Sequence, residues 1–242
     1  MCTISWKTDS NGSRRVYFNR DELKSRPVAI PPQKFSSTNE VAYLAPIDPA
    51  GGGTWMAVNE RGVMIALLNR WHEKVKLHGR KLSRGEIVLS LADCKSVEEA
   101  EVRIHSRDLG CFLAFTIVLS DHHSFSIFAW DGKRLVREDL HSPITSSSFA
   151  FPEVKCFREA ALANGDVRRV HAGVDIIPSA YTVRMNRPDA QTWSRSEITF
   201  LEKSVIWDYW EEMPDLSGEP THYRASLTLK PNHSDHGAIS VL

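Results

Sequence analysis

Short strand-like runs separated by tight-turn signals recur along the whole chain, and this spacing constrains the fold more than any other feature. Residues 4–7 and 16–18 flank Ser10-Asn11-Gly12-Ser13, where Asn-Gly suits a tight hairpin. Residues 54–59 and 62–69 flank a polar Glu60-Arg61 turn. Residues 112–119, 124–130 and 133–138 read as a meander broken at Asp121-His122-His123 and Asp131-Gly132, and 180–185, 192–200 and 222–229 read as later strands. Helical signals fall between these groups. Ser83 with Glu86 forms a capping-box pattern opening 85–92, and Ser96 with Glu99 opens a second helix toward His105. A third helix covers 152–162, with Pro152 in its first turn and Asn164-Gly165 ending it. A fourth is expected over 203–212, with Trp207 and Trp210 on one face. Helices set between blocks of antiparallel strands predict an α+β layered fold in one domain over 1–242, with 27–37 and 214–220 as surface loops.

Charge narrows the partners. Thirty basic and thirty acidic side chains cancel, so no global field draws the chain to nucleic acid or an anionic membrane. No apolar run reaches the roughly 20 residues that span a bilayer, so no integral membrane segment is expected. The N-terminal residues lack the pattern of a secretory leader, which makes the cytoplasm the expected location. Cys2, Cys94, Cys111 and Cys156 are scattered, without paired spacing or close histidine partners, so neither a disulfide framework nor a zinc site is expected. The last three read as inert packing, and no metal or other cofactor is expected.

Cys2 directly follows Met1. If Met1 is removed, Cys2 carries a free α-amine with a reference pKa of about 7.7–8 beside a thiol of about 8.5, so one residue holds both nucleophile and base. If Asn11-Gly12 is the tip of the first hairpin, opposing residues sum to 23, which sets Cys2 across from Asp21 and Thr3 across from Arg20. A three-residue loop slips the register by one and turns Asp21 to the other face. Arg20 would favour thiolate and Asp21 would orient the amine. In the second hairpin the same reasoning sets Asn69 opposite Gly52, within Gly51-Gly52-Gly53-Thr54-Trp55. Those glycines allow close approach of a ligand or another backbone, and the Asn69 amide suits an oxyanion donor. Each feature also has a bland alternative: an incidental thiol, a solvated strand end and a flexible bend.

Taken together, these pieces resemble the NRDE family, also called the transport and Golgi organization 2 family. Met1-Cys2-Thr3, Phe18-Asn19-Arg20-Asp21-Glu22 with Arg26-Pro27, Gly52-Gly53-Thr54-Trp55, and Asn59-Glu60-Arg61-Gly62 running to Ala66-Leu67-Leu68-Asn69 carry the resemblance. Softer matches lie at residues 144–148 with Pro152 and at Arg187-Pro188-Asp189. The resemblance implies a four-layer αββα sandwich of two antiparallel sheets, N-terminal-nucleophile hydrolase-like. It also implies an opening similar to the penicillin V acylase and bile salt hydrolase group, which cleaves amides with an N-terminal cysteine. On that basis Cys2 is the nucleophile and base, Arg20 and Asp21 support it, and Asn69 matches the oxyanion asparagine. Candidate substrate-binding residues are Asn19, Gly52, Gly53, Trp55, Ser146 and Arg187. Ser146 stands nearest the place where the acylase group carries a further asparagine.

Two functions follow from the resemblance. One is a cysteine amidohydrolase acting on a non-peptide C–N bond of a small-molecule amide. The other is a non-catalytic carrier for intracellular haem or lipid cargo, whose apolar pocket would be lined by some of the seven tryptophans and ten phenylalanines. His122-His123 reads as an exposed polar turn rather than a haem ligand pair. A structural or interaction protein without cargo is a third possibility. The oligomeric state is left open.

Overall fold

A computed structural model describes residues 1–10, 12–71, 73, 75–77, 79–122 and 124–230. Asn11 and His123, which the sequence placed in turns, lie outside the described residues. Two antiparallel sheets form the centre. The first has the order β10 (Ile144–Ser146), β1 (Cys2–Thr8), β2 (Arg14–Leu23), β11 (Ala190–Phe200), β12 (Ser204–Glu211), β13 (Thr221–Thr228). The second runs in chain order through β3 (Ile30–Ser36), β4 (Ala42–Ile47), β5 (Met56–Asn59), β6 (Met64–Asn69), β7 (Phe115–Ser120), β8 (Phe125–Trp130) and β9 (Leu135–Glu138).

Strand alternation sorts the side chains into layers. Ile4, Val16, Phe18, Met56, Val58, Ala66, Val118, Ile198 and Trp207 meet between the sheets. On the far side of the second sheet, Ile65, Leu67, Ile117 and Phe128 pack against α1 (Gly85–Leu91) and α2 (Val97–His105). The outer face of the first sheet is covered by α3 (Phe151–Asn164) and α4 (Val167–Ala172), which contact β10 and β2 respectively. The expected αββα sandwich is the observed one. No helix among the described residues is long and apolar enough to cross a membrane.

Several local expectations need correction. Both early hairpins slip by one residue. Thr8 pairs with Arg14, and Cys2 therefore faces Arg20, not Asp21. In the second hairpin Val58 pairs with Met64 and Asn59 N–H donates to Val63 O, so numbers across the ladder sum to 122 and Gly52 is not the partner of Asn69. Residues 203–212 form no helix. Val205, Trp207 and Tyr209 point inward with period two, while Trp210 lies on the other face beside Arg195 and His222. Residues 27–37 are not all loop, because β3 forms an edge strand there; at the edge, Pro31 and Pro32 can lack N–H groups, and the ladder is irregular between Ile30 and Gln33. Residues 180–185 are an ordered loop whose backbone is held by side chains: Asn19 donates to Val183 O and Met185 N–H donates to Thr192 Oγ1. Cys94 is buried as packing predicts, but Cys111 is half-buried and Cys156 is exposed on α3. His122 is exposed at its turn.

Candidate active site

Cys2 begins the strand that occupies the space between β10 and β2. Its backbone N–H donates to Ser146 Oγ at 3.0 Å, and Arg20 is its ladder partner on β2. Cys2, Ile4, Phe18 and Arg20 fall on the inner side of the sheet by strand alternation, which brings the thiol to a cavity of about 490 Å³. This volume lies in the range of small-molecule sites. Arg20, Trp55, Asn69, Trp71 and Arg84 share the cavity wall with Cys2, and Leu67, Leu82 and Leu113 add apolar surface.

The cations are positioned unequally. Arg20 lies over the Trp55 ring with its guanidinium carbon 4.4 Å from the ring centre, and it reaches Asp48 at 3.7 Å and Glu22 at 4.0 Å. Arg26 donates Nε to Asp48 Oδ1 at 3.3 Å and pairs with Glu22 at 3.7 Å. Burial alone would raise Asp48, but the hydrogen bond from Arg26 and the charges of Arg20 and Arg26 hold its carboxyl below the usual range. Arg84 has no carboxylate partner among the described residues. It donates Nη1 to Ala114 O at 2.9 Å and lies 5.4 Å from the Trp71 ring centre, and burial lowers it to about 10. At neutral pH it remains a cation in the cavity wall.

Burial is also the largest influence on Cys2 and pushes its thiol up; the Met1 α-ammonium and Arg20 act in the opposite direction, while the Asp21 carboxylate raises it further. The thiolate is therefore not preformed, and ionisation needs a proton acceptor close by.

The structure separates the other sequence candidates. Asp21 touches the cavity, but its carboxylate is on the helix-facing side, where Oδ1 accepts from Thr192 and Oδ2 accepts from the fully buried Arg158 at 3.0 Å. Its backbone faces Met1 instead: Asp21 O accepts from the Met1 amine at 2.8 Å and Asp21 N–H donates to Met1 O at 2.9 Å. Asn19 is also on the outer face, outside the cavity. It donates to His171 O and Val183 O and accepts from His171 Nδ1 at 2.8 Å, while His171 Nε2 lies 2.7 Å from Ser5 Oγ. Asn69 lines both the Cys2 cavity and an adjoining one of about 230 Å³, which it shares with Ser146. Among the described residues its carboxamide has no hydrogen-bond partner.

Gly52 sits at φ 65° in the turn closed by Asp48 N–H to Gly53 O, where the left-handed backbone suits glycine, and it does not line the cavity. Gly53 does, and its role is close approach: a Cβ there would lie 2.8 Å from the Gly85 carbonyl carbon. Arg187 is outside the cavity and reaches Met1 Sδ at 3.8 Å. Arg84, Asp48 and the Asp21–Arg158 pair were missed by sequence reasoning. An isolated arginine ahead of a capping-box helix carries no sequence signal that it lies across from Cys2.

A family model described as Transport and Golgi organisation 2 matches residues 1–158. The chain belongs to this family. No curated protein matches it. Among solved structures, this Transport and Golgi organisation 2 family chain is similar to a mutant conjugated bile acid hydrolase from Clostridium perfringens, with 17% identity and a TM-score of 0.54 over 97% of this chain and 100% of that one. It is also similar to penicillin V acylase from Agrobacterium tumefaciens, with 14% identity and a TM-score of 0.57 over 92% of this chain and 85% of that one. A third is the Caenorhabditis elegans ortholog of N-acylethanolamine-hydrolyzing acid amidase, with 10% identity and a TM-score of 0.53 over 82% of this chain and 92% of that one. The family member thus has the N-terminal-nucleophile hydrolase fold.

Proposed function

We propose that this chain is an N-terminal cysteine amidohydrolase acting on the C–N bond of a small, non-peptide amide. The observation that carries the reading is the placement of Cys2, whose thiol opens on a ligand-sized cavity while its nitrogen is held by Ser146. With Met1 excised, that nitrogen becomes an α-amine in the same residue as the thiol. It takes the thiol proton, and the sulfur attacks the substrate carbonyl. Arg20 favours the developing thiolate. Excision also frees Asp21 N–H from Met1 O, and this group with the Asn69 carboxamide, which has no hydrogen-bond partner among the described residues, forms the donor set for the oxyanion. Collapse breaks the C–N bond as the α-ammonium returns its proton to the departing amine. Water then hydrolyses the thioester, with the same amine as base.

The test is a panel of N-acyl amides given to the wild-type protein and to Cys2→Ser and Cys2→Ala. Turnover confined to the wild type supports the reading; equal release of amine by Cys2→Ala rejects it. The walls formed by Trp55, Trp71 and leucines favour an amphipathic ligand whatever its fate, so carriage of a lipid or haem cargo is the second reading. Cargo binding that persists in Cys2→Ala without any turnover by the wild type would select it.

A further inference from the structure

Met1 is a ligand-sized occupant of a built space beside Cys2. Its side chain is buried and packs against Met185 and Ala190, and Ser147 Oγ lies 2.9 Å from its sulfur. Arg187, whose Nη1 is 3.8 Å from the Met1 sulfur, is ion-paired with Asp189 at 2.6 Å, so its charge is offset there. It adjoins the Cys2 cavity, which Met1 itself lines.

Covalent geometry connects this space to the chemistry. In a trans peptide the Met1 Cα lies about 2.4 Å from Cys2 N, given the standard bond lengths. The proton donated to a departing amine must travel from Cys2 N over a contact of about 2.7–3.2 Å. One hydrogen of the future α-amine already points to Ser146 Oγ. A tetrahedral amine that keeps this bond sets its other two hydrogens on either side of the old Met1 bond. An amine nitrogen accepting one of them at that contact distance borders the volume that Met1 occupies, and the Met1 side-chain space lies open to its substituent.

We infer that the space vacated by Met1 is the subsite for the leaving amine, and that it selects neutral, unbranched substituents about as long as a methionine side chain. This rests on the amidohydrolase reading above. In the step concerned, the C–S bond forms, the C–N bond breaks, and the proton first taken from the thiol leaves on the amine. The best-matched amine is 2-(methylthio)ethylamine, whose chain has the length of the Met1 side chain counted from Cα and whose sulfur meets Ser147.

The experiment uses the Met1-free full chain and N-octanoyl amides of 2-(methylthio)ethylamine, n-butylamine, tert-butylamine and glycine, with p-nitrophenyl octanoate as an activated control. The two linear neutral amides should exceed the branched and anionic ones in kcat/KM by at least about tenfold. Ala190→Leu, which fills the space, should abolish that preference while ester acylation of Cys2 persists. Met185→Ala, which enlarges it, should move the optimum to a longer amine, a gain that misfolding does not produce. Amide turnover without discrimination, or discrimination unchanged in both variants, overturns this inference and leaves the amidohydrolase reading standing. Failure of every amide and of the ester to acylate Cys2 overturns both.

Discussion

Arg20 faces Cys2 across the β1–β2 ladder and lies over Trp55, with 4.4 Å between the guanidinium carbon and the ring centre. The ring and the carboxylates of Asp48 and Glu22 fix the cation where it opposes the effect of burial on the thiol. Arg20→Leu should therefore raise the Cys2 pKa further. A rise of one unit slows alkylation by iodoacetamide about tenfold at fixed pH below the pKa. Arg20→Lys should recover part of the rate. Indistinguishable rates in all three proteins would show that Arg20 does not act on the thiol.

The Asp21 carboxylate is a structural partner of Arg158, since both side chains are fully buried and bonded at 3.0 Å. Asp21→Ala leaves the Arg158 cation buried without a counter-charge, at an expected cost of about 3–5 kcal/mol in denaturant unfolding. Adding Arg158→Met should restore much of that loss. A single-variant cost below about 1 kcal/mol, the range of an exposed pair, would contradict this assignment.

His171 is held neutral. Burial lowers it to about 3, with Arg195 and Arg158 adding to the effect. Between that value and its unfolded value of about 6.5, the unfolded chain binds one proton more than the folded chain. Stability therefore falls as pH drops through this window, by about 1.4 kcal/mol per pH unit from this group. Urea midpoints measured from pH 7 to pH 4 should fall more steeply in the wild type than in His171→Gln. Parallel pH profiles would mean that His171 protonates in the folded state.

Gly53 and Gly85 make a backbone contact that admits no side chain on either residue, because a Cβ on Gly85 would lie 2.8 Å from both Thr54 N and Thr54 O. Gly53→Ala should cost about 1–3 kcal/mol by forcing the start of α1 away from the glycine turn. It should also change Cys2 alkylation, since Arg84 at the N-terminus of α1 moves with the helix. Wild-type stability in Gly53→Ala would show that this contact relaxes freely.

The layers of the sandwich were legible because burial imposes period two on Ile4, Val16 and Phe18 and helical signals on residues 85–105. The gathering of Cys2, Arg20, Trp55 and Asn69 around one cavity was legible through the motifs of the family. Register was not, because it depends on the conformation closing each hairpin, and a one-residue difference there turned Asp21 from the partner of Cys2 into the partner of Arg158. Strand β12 was misread because Trp207 and Trp210 also fit helical spacing; the β-branched Val205-Ile206 beside them was the better guide. Residues such as Arg84 and Arg158 act through contacts across distant segments, to which local sequence is blind.

The proposed amidohydrolase chemistry depends on an unblocked Cys2 amine beside a reactive thiol. The most direct measurement is intact mass spectrometry of untagged protein, acid-quenched during turnover of an N-acyl amide. The account predicts a chain lacking Met1 that carries one acyl group, mapped by peptide analysis to Cys2. A chain that retains Met1, or a Met1-free chain that releases amine with no acyl group on Cys2 at any time point, would contradict it.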